Sequence, residues 1–166
     1  MSCSLRPVGR GQRARLEALT RATGLFRETE VATAVELLDE AIAGDPDYRF
    51  LGAYDGENLV GYACWGPTPG TDGTCDLYWI VVDLERQGKG IGTQLLHAVE
   101  RRLTADRYRL IVVETSSRAD YAATRGFYEG RGYTRAAVVP GYYAPGDDLV
   151  IYLKDTRDGD LARAAP

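Results

Sequence analysis

The chain predicts an α/β (α+β) domain, on the order in which its apolar patterns change period. After a short first strand come two helical patterns, then a pair of strands about a tight-turn signal. A strand, helix, strand, helix succession and two late strands follow. At 166 residues and 45% hydrophobic content, the chain can bury one real core.

Ser4 to Val8 reads as a short first strand. Gln12 to Thr23 reads as a helix with Leu16, Leu19 and Ala22 on one side, stopped by Gly24. Thr29 to Ala43 is a clearer helix, because Val31, Ala34, Val35, Leu38, Ala41 and Ile42 recur at helical spacing. Glu28 and Glu30 suit the positive end of its dipole, and Gly44 with Pro46 ends it. Arg49 to Tyr54 and Leu59 to Trp65 flank Asp55-Gly56-Glu57-Asn58, a hairpin signal. Gly66 to Gly73 is a loop by its prolines, glycines and threonines.

A strand from Cys75 to Val82 follows, then a glycine-rich turn and a helix over Ile91 to Leu103. Leu110 to Thr115 is a strand, and Ala123 onward a short helix. Tyr133 to Val139 and Leu149 to Leu153 are the late strands, with a loop from Pro140 to Asp148 between them. Asp155 to Pro166 is polar, small and without a core pattern. The expected organisation is one domain over residues 1–154 and a flexible tail over 155–166.

Charge and cysteine usage exclude several function classes. A net charge of −4 does not favour nucleic acid or an anionic membrane surface. No apolar stretch approaches the ~20 residues that span a bilayer, and the N-terminus has no basic-then-apolar signal segment. Cys3, Cys64 and Cys75 lack paired-ligand spacing, and one histidine cannot complete a zinc site with them. A cytoplasmic protein with reduced thiols and no metal is expected, a monomer or homodimer, with Cys64 and Cys75 as packing residues. His97 falls opposite Ile91, Leu95 and Val99 on the helical wheel and is expected in solvent.

The most informative stretch is Gln87-Gly88-Lys89-Gly90-Ile91-Gly92. Glycines there let the backbone approach a ligand, and the helix that follows presents N–H groups and a positive dipole end to an anion. A diphosphate fits such a turn. The phosphate loop G-x-x-x-x-G-K-[ST] does not, because Asp83 stands at its first glycine and Gly90 follows Lys89. The dinucleotide fingerprint G-x-G-x-x-G fails at Thr93 and Leu95 in its two registers.

What remains, Gln87, Gly90 and Gly92 in a Q-x-x-G-x-G pattern between strand and helix, resembles the acyl-CoA pyrophosphate loop of the GNAT superfamily of N-acetyltransferases. Ala123 to Tyr133, reading ATRGFYEGRGY, resembles that family's second signature. The resemblance covers roughly residues 5 to 154. It implies a mixed, mostly antiparallel central sheet that splays at its centre, flanked by about four helices. Acetyl-CoA would serve as co-substrate, with its pantetheine and thioester carbonyl on the backbone of Ile80, Val81 and Val82. Its pyrophosphate would lie on Gln87, Gly88, Lys89, Gly90, Ile91, Gly92 and Thr93, with Arg86 and Lys89 adding charge.

Acetyl transfer to an amine needs a neutral amine and a protonated leaving thiolate. On the resemblance Tyr128 is the candidate acid, and a phenol, with an ordinary pKa near ~10, can donate at neutral pH. Two carboxylates compete as base. Asp76 precedes Gln87 at the spacing of the catalytic glutamate in the histone-acetylating branch, but is one methylene shorter. Glu114 sits within the apolar run Leu110 to Thr115. Members of the family often use no direct base at all. The resemblance also puts the first two helices and the last inter-strand loop around the acceptor, where Phe26, Glu30, Trp65, Tyr78, Tyr142 and Tyr143 suit a cationic amine. The expected activity is direct transfer to a primary amine, of a small molecule or amino acid. An acyl-CoA sensor without turnover is the alternative.

Overall fold

Each expected pattern becomes an element within a few residues of its bounds. The computed structural model describes residues 3–157. In order come β1 (Ser4–Pro7), α1 (Arg13–Ala22), α2 (Glu28–Ala43), β2 (Arg49–Asp55), β3 (Asn58–Pro67) and β4 (Thr74–Val82). Then follow α3 (Ile91–Ala105), β5 (Leu110–Ser116), α4 (Ala122–Glu129), β6 (Thr134–Ala144) and β7 (Asp147–Asp155). The sheet has seven strands in the order β1-β2-β3-β4-β5-β7-β6. Its β1–β2, β2–β3, β5–β7 and β6–β7 pairs are antiparallel, and β4–β5 is parallel. Among the described residues no helix is long and apolar enough to cross a membrane.

Two compact units divide the chain, and β4 contributes to both. The first holds Met1–Pro67 and Tyr78–Arg102. Its core gathers Leu16, Leu19, Ala34, Val35, Leu38, Tyr54, Leu59, Tyr62, Cys64 and Val81. The helical spacing of α2 supplies three of these, Ala34, Val35 and Leu38, and Gly44 at φ +100° ends that helix. Glu30 caps its start, taking the Arg27 N–H at 2.7 Å. In the β2–β3 hairpin Asp55 pairs with Asn58 across Gly56, which has φ +60°.

The second unit holds Thr68–Leu77 and Leu103–Pro166. Here β4 runs beside β5 with Thr74, Cys75 and Asp76 in register with Leu110, Ile111 and Val112. Thr156 follows β7 and stays buried, donating its N–H to Arg109 O at 3.0 Å. Residues 158–166, most of the expected tail, lie outside the described residues.

One segment differs from its sequence reading. The expected loop from Pro140 to Asp148 is a continuation of β6 to Ala144 and a turn at Pro145-Gly146. The β6–β7 register slips between Val139 and Ala144, so these residues bulge rather than pair in step. Pro140 has no N–H for a ladder, and Gly141, at φ +62°, donates instead to the Asp148 carboxylate at 2.8 Å. A pattern of prolines, glycines and aspartates reads as loop, although a side chain here substitutes for the missing strand partner.

Candidate active site

In the first unit, the turn between β4 and α3 is built by its own side chains. Asp83 donates its N–H to Val60 O at 2.9 Å, and its carboxylate takes the Glu85 N–H at 3.1 Å. A single 3₁₀ turn, Leu84–Arg86, follows. The Gln87 amide donates back to Val82 O at 3.4 Å. Gly88 and Gly90 then adopt φ +74° and +82°, a region that L side chains enter at a cost of roughly 1–2 kcal/mol. A Cβ at either would meet nothing within 4 Å, so the turn presents bare backbone to open space. The first helical bond of α3 runs from Gln94 N to Gly90 O at 3.0 Å. The N–H groups of such a first turn are the ones a helix does not itself use.

The two cations of the turn differ. Arg86 is charge-paired with Asp55 at 2.8 Å, whereas Lys89 donates to the Glu85 carbonyl at 2.9 Å and keeps its net charge beside the glycines. In the strand leading in, Val81 is buried in the core while Ile80 and Val82 remain partly exposed.

In the second unit, strand register separates the acid candidate from the base candidates. Tyr128 is buried and packs on Phe127, Tyr133 and Tyr152, with centroids 5.2, 5.3 and 6.5 Å away. Tyr152 pairs with Val113, so Tyr128 covers the face of β5 and β7 to which Val113 points. Glu114 points to the other face by alternation. Asp76 pairs with Val112, which shares that face with Glu114. Asp76 and Glu114 thus stand together, and Tyr128 lies behind the strand.

Electrostatics follow from this placement. Burial pushes the Tyr128 phenol well above its ordinary pKa, so it holds its proton throughout the neutral range. Glu114 keeps one side toward water, yet partial desolvation, and then the charge of Asp76, raises its pKa. Tyr143 is pushed up to about 12 by burial, with Glu114 the next cause. Tyr143 therefore joins Asp76 and Glu114 in one electrostatic neighbourhood.

α4 is held at its middle and at its C-terminal end. Arg125 donates to Ser116 O at 2.7 Å and Arg118 O at 2.8 Å, and Tyr152 donates its hydroxyl to Glu129 at 2.6 Å. Neither the Arg125 brace nor the Tyr152 stack has a local sequence signal.

The acceptor candidates divide. Trp65 is buried to 4% exposure and belongs to packing. The Glu30 carboxylate is occupied as the α2 cap. Phe26 and Tyr78 are partly exposed in the first unit. Tyr142 and Tyr143 stand edge-on 5.0 Å apart in the second. His97 is exposed, as the helical wheel requires, and Cys64 and Cys75 are buried and form no disulfide.

Comparison with known proteins decides the family. The model of the Acetyltransferase (GNAT) family matches residues 15–133. The chain belongs to the GNAT acetyltransferase family. Its fold superposes on a GNAT-family protein of Desulfovibrio desulfuricans with a TM-score of 0.90 and 37% identity, over 93% of this chain and 99% of that one. A Bacillus subtilis protein named S-(2-succino)cysteine N-acetyltransferase is 32% identical over 72 residues, 43% of this chain. That stretch spans only 44% of the Bacillus protein's own length. The PaiA N-acetyltransferase of Thermoplasma acidophilum, solved with coenzyme A, shares the fold at a TM-score of 0.72 and 17% identity, over 93% and 99% of the two chains. This GNAT protein is thus an acyltransferase, and its described residues form a mixed sheet and four α-helices.

Proposed function

We propose that this GNAT enzyme moves an acetyl group from acetyl-CoA to a primary amine of a small molecule or amino acid, by direct transfer in a ternary complex. The observation that carries the reading is the turn before α3. Gly88 and Gly90 take a conformation suited to glycine, and a side chain at either would occupy otherwise open space at a helix N-terminus. A pyrophosphate fits that bare backbone, with Gln87 bracing the turn and Lys89 leaving charge beside it.

Acetyl-CoA, when bound, supplies the thioester acetyl group. The backbone of Ile80, Val81 and Val82 offers strand N–H and carbonyl groups to the pantetheine arm. Tyr128 Oη holds a proton for the departing sulfur, and its raised pKa keeps that proton in place at neutral pH. An alkylammonium, with an ordinary pKa near ~10.4, must lose a proton before it attacks. Glu114, made more basic by burial and by Asp76, accepts it, and the paired carboxylates favour a cationic acceptor.

The test is thiol release from acetyl-CoA with a panel of primary amines, alongside calorimetry of acetyl-CoA binding. Amine-dependent thiol release with N-acetyl product is expected. Tight acetyl-CoA binding without turnover on any amine would replace this reading with that of an acyl-CoA sensor.

A further inference from the structure

Aromatic side chains in the first unit form a connected row that core packing does not consume. Phe26, between α1 and α2, stands edge-on to Trp79 with centroids 6.4 Å apart at 76°. Trp79 lies 5.9 Å from Tyr78, and Tyr78 lies 6.0 Å from Tyr48, between α2 and β2. Phe26, Tyr78 and Trp79 rest on the core cluster with part of their surface and keep the remainder in solvent, as Tyr48 does. Tyr62 and Trp65, by contrast, are buried to 0% and 4% exposure, so this unit can hide an aromatic ring completely.

The row also has a position and a charge. Tyr78 and Trp79 directly precede Ile80 in β4, and at ~3.3 Å per strand residue they stand within ~7 Å of the backbone assigned to the thioester. Glu40, Asp45 and Asp47 lie close enough to Tyr48 to add to the upward push that burial gives its phenol. Against these carboxylates stand Arg49, next in the chain, and Arg27, which lies 4.0 Å from Glu30. The Tyr48 end of the row is acidic on balance. It attracts an ammonium and repels a carboxylate.

We propose that this row seats the body of the acceptor, and that the acceptor is an arylalkylamine: a planar ring joined by a short saturated arm to a primary amine, without a carboxylate. Rings set edge-on or tilted to one another offer apolar surface to another ring, and an arm of two or three carbons matches the strand distance to Ile80. This inference rests on the acetyl-transfer reading above and names the substrate class for it.

The test compares phenethylamine, n-butylamine, phenylalanine and S-(2-succino)cysteine in the thiol-release assay. Phenethylamine is expected to exceed each of the others in kcat/KM by about 10-fold or more. Phe26→Ala should reduce the phenethylamine-to-butylamine ratio about 10-fold, because it removes one ring from the row. Equal use of phenethylamine and butylamine, or a ratio unmoved by Phe26→Ala, overturns the proposal, as does a preference for either carboxylate-bearing amine. Trp65→Phe leaves Trp79 as the sole tryptophan and gives a readout without turnover. With coenzyme A present, phenethylamine should shift Trp79 emission at concentrations where butylamine does not. If no amine is turned over, the acetyl-transfer reading fails, and this titration still decides the row: a selective shift supports it and none overturns it.

Discussion

The Arg15 guanidinium donates to the Asp83 carboxylate at 2.5 Å and to Leu59 O at 3.0 Å, tying α1 to the residue that follows β4. Asp83 in turn caps the 3₁₀ turn that leads to the glycines. The pair is partly exposed, so its Coulomb energy is screened and its main effect is positional. Arg15→Met should cost about 1 kcal/mol of stability and weaken acetyl-CoA binding several-fold by loosening the turn. Thermal unfolding and calorimetry read both. A variant with wild-type acetyl-CoA affinity would leave the tie without a role in binding.

The glycines of the turn should separate conformation from proximity. Gly90 at φ +82° cannot take a branched side chain without strain, so Gly90→Val should lose stability as well as acetyl-CoA binding. Gly92 is the second residue of α3, in helical backbone that favours alanine over glycine by up to roughly 0.5–1 kcal/mol. Gly92→Ala should therefore keep or raise Tm and still weaken acetyl-CoA binding. Tighter or equal binding in that variant would remove Gly92 from the pyrophosphate site.

Tyr128→Phe keeps the ring that packs on Tyr133 and Tyr152 and deletes only the hydroxyl. Fold and acetyl-CoA affinity should persist while kcat falls ~10²-fold or more. Tyr128→Ala should instead cost ~3–5 kcal/mol, because it empties the stack. If Tyr128→Phe turns over normally with chemistry rate-limiting, the phenol is not the acid.

Asp76 and Glu114 make a pH prediction with a definite sign. Burial and Asp76 hold the folded pKa of Glu114 above its unfolded value. That contribution favours folding below the unfolded pKa and is lost as pH rises through the folded one. Glu114→Gln should thus be at least as stable as wild type at neutral pH, with the gap closing as pH falls below about 4.3. In activity, the acidic limb of kcat/KM should lie above the ordinary glutamate range. Asp76→Asn removes the neighbouring charge, so it should move that limb to lower pH and reduce amine kcat/KM without changing acetyl-CoA Kd. An unmoved limb in Asp76→Asn would point to Asp76 itself or to a mechanism without a base.

Legibility in the sequence followed interaction range. The α2 stripe, the Asp55–Asn58 hairpin and the glycine turn are written within short windows, and all appear in place. Solvent exposure of His97 came from the same kind of local periodicity. The Arg15–Asp83 tie joins residues far apart in the chain, and no periodicity announces it. Trp79 and Tyr48 were invisible as partners of Phe26 and Tyr78 for the same reason. Trp65 could be placed at a lining or in a core with equal chemistry, and only burial separates the two. Glu100 is fully buried in α3, against the rule that charged residues face water.

The opposition of Tyr128 and Glu114 across β5 has a corollary. Asp76 and Glu114 stand across a strand from the aromatic stack that holds the Tyr128 phenol. On the proposed roles, a side chain exchanged on one face need not repack the other, much as a lock can be rekeyed without replacing its bolt. On those roles, a substitution beside Glu114 would alter how the amine is handled and leave thiol departure to an unchanged Tyr128.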